Sequence, residues 1–394
     1  MKVDVVNQTK DEFFMRRAIE LAKKGAGDVN PNPMVGAVVV KNGKIIGEGY
    51  HERYGTLHAE RNALSACTES PDGATMYITL EPCCHYGKTP PCTEAIIESN
   101  ISRVVVGSRD PNPLVMGKGL KLLREVGIEV TDGFLTEECD ALYPVFFHFM
   151  KTKTPYVTLK YAMTLDGKIA AATGESQWIS CEESRKHAHT LRGHTMAIMV
   201  GVGTVIKDNP KLTCRNGKGL SPIRIICDTK LQTPLDSELV VSAFAESKKT
   251  RYAGKVKSCS GAESNEQRVP RTIIATSEVN ENKIKKYEDM GVTVLYTPTG
   301  TDGHIDLHQL MARLGAMKID SIILEGGGIL SWSALNCGIV NKVQCYLAPK
   351  ILGGKEALTP VGGIGVDSLS EAFMLKDLKI KKIGSDIFIE SEFK

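Results

Sequence analysis

The chain has 394 residues, 42% of them hydrophobic and 24% charged, with a formal net charge of +3. That length is too great for one ordinary core and implies two domains of a globular protein, while so small a charge supplies no overall field for nucleic acid or a membrane surface. The N-terminal stretch, with Asp4, Asp11, Glu12 and Glu20, has no apolar core before a cleavage site, no apolar run reaches bilayer length, and the 11 cysteines are dispersed, so a reduced, cytoplasmic protein without nucleic-acid or membrane partners is expected.

Thr9-Lys10-Asp11-Glu12 has the form of a capping box, and Phe14, Ala18, Leu21 and Ala22 follow at helical spacing up to Lys23-Lys24-Gly25. Strands are predicted over 35–40 and 44–47, on either side of the hairpin signal Asn42-Gly43. A helix over 58–67, a strand over 77–80, a helix over 93–99, a strand over 104–106, a helix over 118–126 stopped by Gly127 and a short strand over 128–130 follow. Alternation of this kind implies a layered α/β domain, with ligands gathered where strands hand over to helices.

The stretch from His58 to Cys92 carries chemistry. One imidazole and two thiolates around Zn²⁺, from His58, Cys83 and Cys92, leave a fourth position open to water. Glu60, two residues after the histidine, can face that position and move a proton without coordinating. His-x-Glu followed by Pro-Cys-x-x-Cys is the signature of zinc-dependent base deaminases. Here the second thiolate comes nine positions after Cys83 rather than three, so Cys84 and His85 compete as ligands and a closed structural site is the alternative. Cys92 is favoured because Thr89-Pro90-Pro91-Cys92 reads as a helix entry, where a thiolate is stabilised. Asn32, His51, His85, Lys88, Asp110 and Asn112 cluster around the same joints, although each taken singly is ordinary turn chemistry.

Phe146 to Met150 reads as the end of an amphipathic helix and Lys151 to Pro155 as a linker, dividing 1–150 from 155–394. A strand over 156–161 runs into Ala162 and Thr164-Leu165-Asp166-Gly167-Lys168. Ser180-Cys181-Glu182-Glu183 looks like a second capping box, opening a helix over 185–192. A strand over 197–200 enters Gly201-Val202-Gly203-Thr204-Val205, where Ile206 replaces the last glycine of a dinucleotide fingerprint. Further strands are expected over 223–227, 272–275, 292–296 and 321–324, a helix cap at Asp306, and a terminal hairpin around Gly384-Ser385. The polar stretch 246–271 reads as a flexible surface insertion without chemistry. Ile322-Ile323-Leu324 opens into Glu325-Gly326-Gly327-Gly328 and a helix, where backbone amides can bind phosphate; a tight turn without a ligand is the alternative.

Asn32-Pro33-Met34-Val35-Gly36, Gly49-Tyr50-His51, His58-Ala59-Glu60 and the run from Glu81 to Cys92 resemble the bacterial riboflavin biosynthesis deaminase–reductases, and the resemblance continues through Leu159-Lys160, Gly174 to Trp178, Asp208-Asn209-Pro210 and the glycine turn. It implies a cytidine-deaminase-like three-layer α/β/α domain with zinc, followed by a dihydrofolate-reductase-like α/β domain that uses NADPH. It also implies a phosphorylated pyrimidine substrate and a tendency to form homo-oligomers. By the same resemblance Asn32, His51, His85, Lys88, Asp110 and Asn112 hold the aminopyrimidine and its ribose phosphate. Ala162, Trp178, Thr204, Asp208, Thr229, Gly327 and Gly328 contact NADPH. Ser176, Arg192, Leu212, Arg215 and Glu325 hold the reductase substrate, with Lys160 and Asp166 near the point of hydride transfer. Guanidinium forks at Arg192 and Arg215 suit a phosphate, although a surface salt bridge is the commoner fate of an arginine. Cys84 stands where the family usually has serine. Two rival readings remain: a nucleoside or nucleic-acid deaminase with an unrelated second domain, and a zinc-stabilised binding module without turnover.

Overall fold

The computed structural model describes residues 9–87, 89–113, 115–215, 221–253 and 271–393. The chain divides into two compact units, Met1–Lys153 and Thr154–Lys394.

The first unit contains α1 (Lys10–Ala22), β1 (Gly36–Lys41), β2 (Lys44–Tyr50), α2 (Ala59–Ser65), β3 (Thr75–Leu80), α3 (Cys92–Glu98), β4 (Arg103–Ser108), α4 (Lys118–Glu125), β5 (Glu129–Asp132), α5 (Thr136–Asp140) and α6 (Pro144–Thr152). Both halves of the capping box at Thr9 form, with Thr9 Oγ1 accepting from Glu12 N and Glu12 Oε2 from Thr9 N, each at 3.2 Å. The sheet order is β2-β1-β3-β4-β5. β1 is antiparallel to β2 and β3, and β3, β4 and β5 are parallel. Residues Gly36 to Val40 are all buried because the sheet is covered on both faces. Val38 and Val40 pack with Phe14, Ala18, Tyr143 and Phe146. Ala37 and Val39, on the opposite face, pack with Ala59, Ala63, Ile96 and Leu120. Three layers result. The expected linker at 151–155 begins later than its polarity suggests: α6 continues through Thr152, whose hydroxyl donates back to His148 O at 2.9 Å, and the break comes at Lys153 with φ 57°.

The second unit contains β6 (Tyr156–Thr164), α7 (Glu182–His194), β7 (Ala197–Gly201), α8 (Val202–Asp208), β8 (Ile223–Cys227), α9 (Glu238–Ala253), β9 (Thr272–Thr276), α10 (Glu281–Asp289), β10 (Thr293–Tyr296), α11 (Leu307–Ala316), β11 (Ser321–Glu325), α12 (Gly328–Asn336), β12 (Val340–Ala348), β13 (Leu375–Ile383) and β14 (Asp386–Phe393). Its sheet runs β10-β9-β8-β7-β11-β6-β12-β14-β13. The strands from β10 to β12 are parallel and the terminal hairpin is antiparallel. Ile322 and Leu324 face one core and Ile323 the other, so this sheet too is covered on both faces.

Four expectations change here. No strand is predicted over 340–348, yet β12 lies beside β6, its apolar run broken in sequence by Asn341, Lys342 and Gln344. The capping box at Ser180 does not form. Cys181 is the N-cap without a side-chain cap bond, because its N–H goes to Asp386 Oδ2 at 2.8 Å and its thiol to Ile383 O at 3.4 Å. The polar stretch 246–271 begins inside α9, where Glu246 pairs with buried Arg224 at 2.9 Å; residues 254–270 lie outside the described residues. Val292 precedes β10 rather than starting it, packed in the core with Tyr287.

Helix α2 rests against β2 at Gly49, where an added Cβ would come within 2.6 Å of Ala59 O and closer still to Ala63 N. Both obstacles are backbone, so Gly49→Ala is expected to destabilise the first unit by about 1–3 kcal/mol, read as a lower midpoint in denaturant titration with fluorescence detection.

Candidate functional sites

In the first unit three chain segments converge. β3 ends at Leu80 and delivers Glu81-Pro82-Cys83; His58 is the N-cap residue of α2; Cys92 is the first residue of α3, with Pro91 as its N-cap. His58 Nδ1 lies 3.5 Å from Cys83 Sγ and 3.5 Å from Cys92 Sγ. A tetrahedral zinc about 2.3 Å from sulfur and about 2.05 Å from nitrogen requires N···S edges of about 3.5 Å. The donor set therefore fits zinc in both chemistry and size. Among the described residues, His58, Cys83 and Cys92 are the one such group, and neither Cys84 nor His85 joins it.

The electrostatics of the protein atoms agree. Cys83 is pulled down to about 4, first by the hydrogen bond from Cys92 and then by His58, while Cys92 is pushed well up by the same pairing and by burial. Two sulfurs this close share a proton unless a cation replaces it. Glu60 is 3% exposed, its Oε2 is buried without a partner, and burial followed by the Cys83 charge raises its carboxyl.

His58, Glu60 and Cys83 open onto a cavity of about 260 Å³ that is also lined by Asn32, His51, His85, Asp110 and Asn112. His51 Nδ1 is 3.0 Å from Leu57 O and its Nε2 is 3.2 Å from Asn32 Nδ2. The first contact requires a proton on Nδ1 and the second makes Nε2 the acceptor, so the ring is neutral, in line with the downward shift that burial imposes. His85 has a buried Nδ1 without a partner. Asp110 accepts from Asn112 N at 2.8 Å, and burial raises its carboxyl to about 6. Lys88 lies outside the described residues. The sequence reading attached no role to Glu81, which is 3% exposed and lines the cavity. Its oxygens accept from Gly117 N at 3.0 Å and Gly119 N at 3.2 Å, tying the end of β3 to the start of α4; its place before Pro82-Cys83 was the only signal.

In the second unit the chain turns in opposite directions after two adjacent parallel strands, from β7 toward β8 and from β11 toward β12, which is where such sheets bind ligands. A cavity of about 540 Å³ opens there. Its lining includes the turn Gly201 to Thr204, Ser176, Asp208, Thr229 and Gly326 to Gly328. Gly326 and Gly327 have φ 90° and 78°, the region that favours glycine, and they bring backbone into the cavity at the start of α12. His304, Leu358 and Thr359 also line it, from loops that carry no motif.

Beside the glycine turn stands an ionic cluster. Arg192 grips Glu325 with both arms, Nε to Oε1 and Nη2 to Oε2 at 2.8 Å each, and Lys160 Nζ lies 3.5 Å from Oε2. Burial alone would raise the Glu325 carboxyl, but Lys160 and Arg192 overcome it and hold it at about 2. Lys160 also sits 5.5 Å above the ring of Tyr346. Arg215 Nε donates to His189 Nε2 at 3.3 Å, and Leu212 is buried with φ 50°. Asp166 is committed to a turn, accepting from Thr164 Oγ1 and Gly353 N at 2.6 Å each and from Leu352 N at 3.2 Å. Ala162 packs with Tyr346 and Phe388, and Trp178 lies beneath the Arg185 guanidinium at 4.6 Å. Neither Ala162 nor Trp178 lines the cavity.

Residues 8–108 match the cytidine and deoxycytidylate deaminase zinc-binding region, and residues 155–389 match the RibD C-terminal domain. Riboflavin biosynthesis protein RibD of Actinobacillus pleuropneumoniae is 50% identical over 96% of this chain and 94% of its own length. RibD of Escherichia coli K12 is 37% identical over 96% of this chain and 98% of its own. A solved structure of Acinetobacter baumannii RibD superposes with a TM-score of 0.82 at 32% identity, covering 98% of this chain and 99% of that one. The deaminase/reductase structure from Thermotoga maritima gives 0.80 at 36% identity, with the same coverage. The cofactors of the two halves are zinc and NADPH. The chain belongs to the RibD family of riboflavin biosynthesis, in which a cytidine-deaminase-like domain and a pyrimidine reductase domain share one polypeptide.

Proposed function

We propose that the first unit deaminates a diaminohydroxyphosphoribosylaminopyrimidine and the second reduces the product, 5-amino-6-(5-phosphoribosylamino)uracil, the two activities named for the Thermotoga maritima relative. The observation that carries the first half is Glu60, buried and unpartnered at Oε2 beside the three ligand atoms. Zinc on His58, Cys83 and Cys92, when bound, makes water acidic enough to attack a ring carbon. Glu60 would carry one proton of the attacking water to a ring nitrogen and then the second, from the hydroxyl of the adduct, to the departing amine. A C–O bond forms, the C–N bond breaks and ammonia leaves, with one water consumed. Asn32, His51, His85, Lys88, Asp110 and Asn112 hold the pyrimidine and its ribose phosphate.

NADPH, when bound in the second unit, supplies the hydride. Gly327, Gly328 and Thr204 hold its diphosphate through backbone and hydroxyl donors, and Asp208 and Thr229 contact the remainder. Ser176, Leu212, Arg192 and Arg215 hold the substrate, with Arg215 the arginine whose fork is not committed to a carboxylate. Glu325 fixes Lys160 near the reacting ribose carbon. Asp166 shapes the turn under the site rather than touching the reacting atoms, since its bonds to Thr164, Leu352 and Gly353 occupy both oxygens.

Among the described residues no helix is long and apolar enough to cross a membrane. Free thiols such as Cys67, Cys139 and Cys345 suit a reduced, cytoplasmic setting. Association into homo-oligomers is supported by the apolar side chains on β13, where Leu378 is 59% and Ile380 65% exposed.

Glu60→Ala is expected to lower ammonia release by roughly 10²–10⁴-fold, while zinc content and NADPH oxidation on pre-deaminated substrate stay at wild-type levels. Arg215→Ala is expected to raise KM for the phosphorylated pyrimidine about tenfold or more, the cost of one charge-assisted contact, and to leave the Kd for NADPH unchanged; equal losses in both would mean a structural role. Replacing Leu378 and Ile380 together with glutamate is expected to shift sedimentation of the wild-type assembly to that of a monomer.

A further inference from the structure

The zinc loop departs from the usual spacing by extra residues between its two cysteines, and something must hold the far end of that loop in place. We infer that Arg61 is a positioning residue that clamps the Pro90-Pro91 segment and thereby holds Cys92 in the coordination sphere. The inference rests on the ligand assignment proposed above.

Arg61 lies on α2, immediately after Glu60 and three residues after His58. Its Nη2 donates to Pro91 O at 2.8 Å and its Nε to Pro90 O at 3.3 Å. These two carbonyls lead directly into Cys92, the first residue of α3. Proline has no N–H, so at neither position can the chain be tied down through its own amide. A guanidinium presents two donors in a fixed fork and can bridge adjacent carbonyls, which an ammonium on a flexible stem does poorly. Helix α2 is itself fixed to the sheet, through the close approach at Gly49 and through Asn62 Nδ2 donating to Tyr50 O at 2.8 Å. One helix thus supplies a ligand (His58), the proton carrier (Glu60) and the brace for another ligand (Arg61). The clamp sets the distance between Cys92 and His58 without touching substrate or metal.

Side chains that orient metal ligands typically contribute roughly 10- to 100-fold in metal affinity. The test uses the full-length protein and the variants Arg61→Ala and Arg61→Lys. Zinc stoichiometry is measured by atomic absorption, and zinc transfer to a chelating dye is timed. Ammonia release is followed with and without added zinc, and NADPH oxidation on pre-deaminated substrate serves as the control for folding. Arg61→Ala is expected to lose zinc about 10- to 100-fold faster, to recover ammonia release when zinc is added in excess, and to keep its reductase rate. Arg61→Lys falls between Arg61→Ala and wild type. Wild-type release kinetics in Arg61→Ala would overturn the clamp, and so would a loss of ammonia release that added zinc does not restore. Wild-type protein that binds no zinc would sink the ligand assignment itself, and the clamp with it.

Discussion

Two thiolates and an imidazole cannot share one small volume unless a proton or a metal ion lies between them, and the first unit is organised around that requirement. The end of β3 and the starts of α2 and α3 bring the three groups together. Cys83 is pulled down and Cys92 pushed up by their mutual hydrogen bond, the pattern of two sulfurs sharing one proton. The nine-position separation does no harm because the loop is tied at its ends to Cys83 as well as to α2 through Arg61. Thr93 N and Thr93 Oγ1 donate to Cys83 O at 3.2 and 3.3 Å, and Cys92 N donates to Cys83 Sγ at 3.4 Å. With the ends fixed, residues between them can be looped out at a cost that grows only slowly with length.

The second unit solves a related problem with a carboxylate in place of a metal. Glu325 is 9% exposed, and burying its charge is costly unless it is paired and hydrogen-bonded. Arg192 supplies a two-armed grip and Lys160 a further charge, so the anion stays ionised beside the glycine turn. The pairing of β11 with β6 places Glu325 opposite Lys160 in register, so the cluster follows from strand order as much as from side-chain choice. Arg192 arrives from α7, which is why its guanidinium is already spoken for by Glu325.

Much of this was legible in the chain itself, for physical reasons that also explain the rest. His58, Cys83, Cys92 and Glu60, which the structure brings together, sit at helix starts and just past a strand end announced by proline, capping and apolar runs. The glycine turn after Ile322-Ile323-Leu324 was equally plain, since only glycine suits its positive φ values. Strand β12 was hidden because Lys342 and Gln344 find partners in Glu390, at 3.4 and 2.8 Å, and so interrupt the apolar pattern with satisfied polar side chains. Ser180 looked like a cap, but the hydrogen bonds that organise the start of α7 come from Asp386, some two hundred residues away. Glu81 and Tyr346 gain their roles only from tertiary neighbours, and no local spacing encodes them.

Titration behaviour separates working groups from scaffolding only when its cause is read along with its direction. Asp166 is held at about 2, first by the Thr164 hydroxyl and then by the Gly353 amide, although its side chain is exposed. Such a shift reports hydrogen bonds that favour the anion in a well-made turn, and a turn is what Asp166 makes. Glu60 and Asp110 move the other way, with burial as the first cause, and both line the cavity beside the three ligand atoms. A carboxylate desolvated at the wall of a cavity holds an unmet affinity for protons and for donors on a ligand, which a carboxylate saturated by backbone amides lacks. By that criterion the desolvated carboxylates of the first unit stand on α2 and on the loop after β4. In the second unit Glu325, although buried, is already neutralised by Lys160 and Arg192, so the cluster holds a fixed position and a preserved charge rather than a proton in waiting.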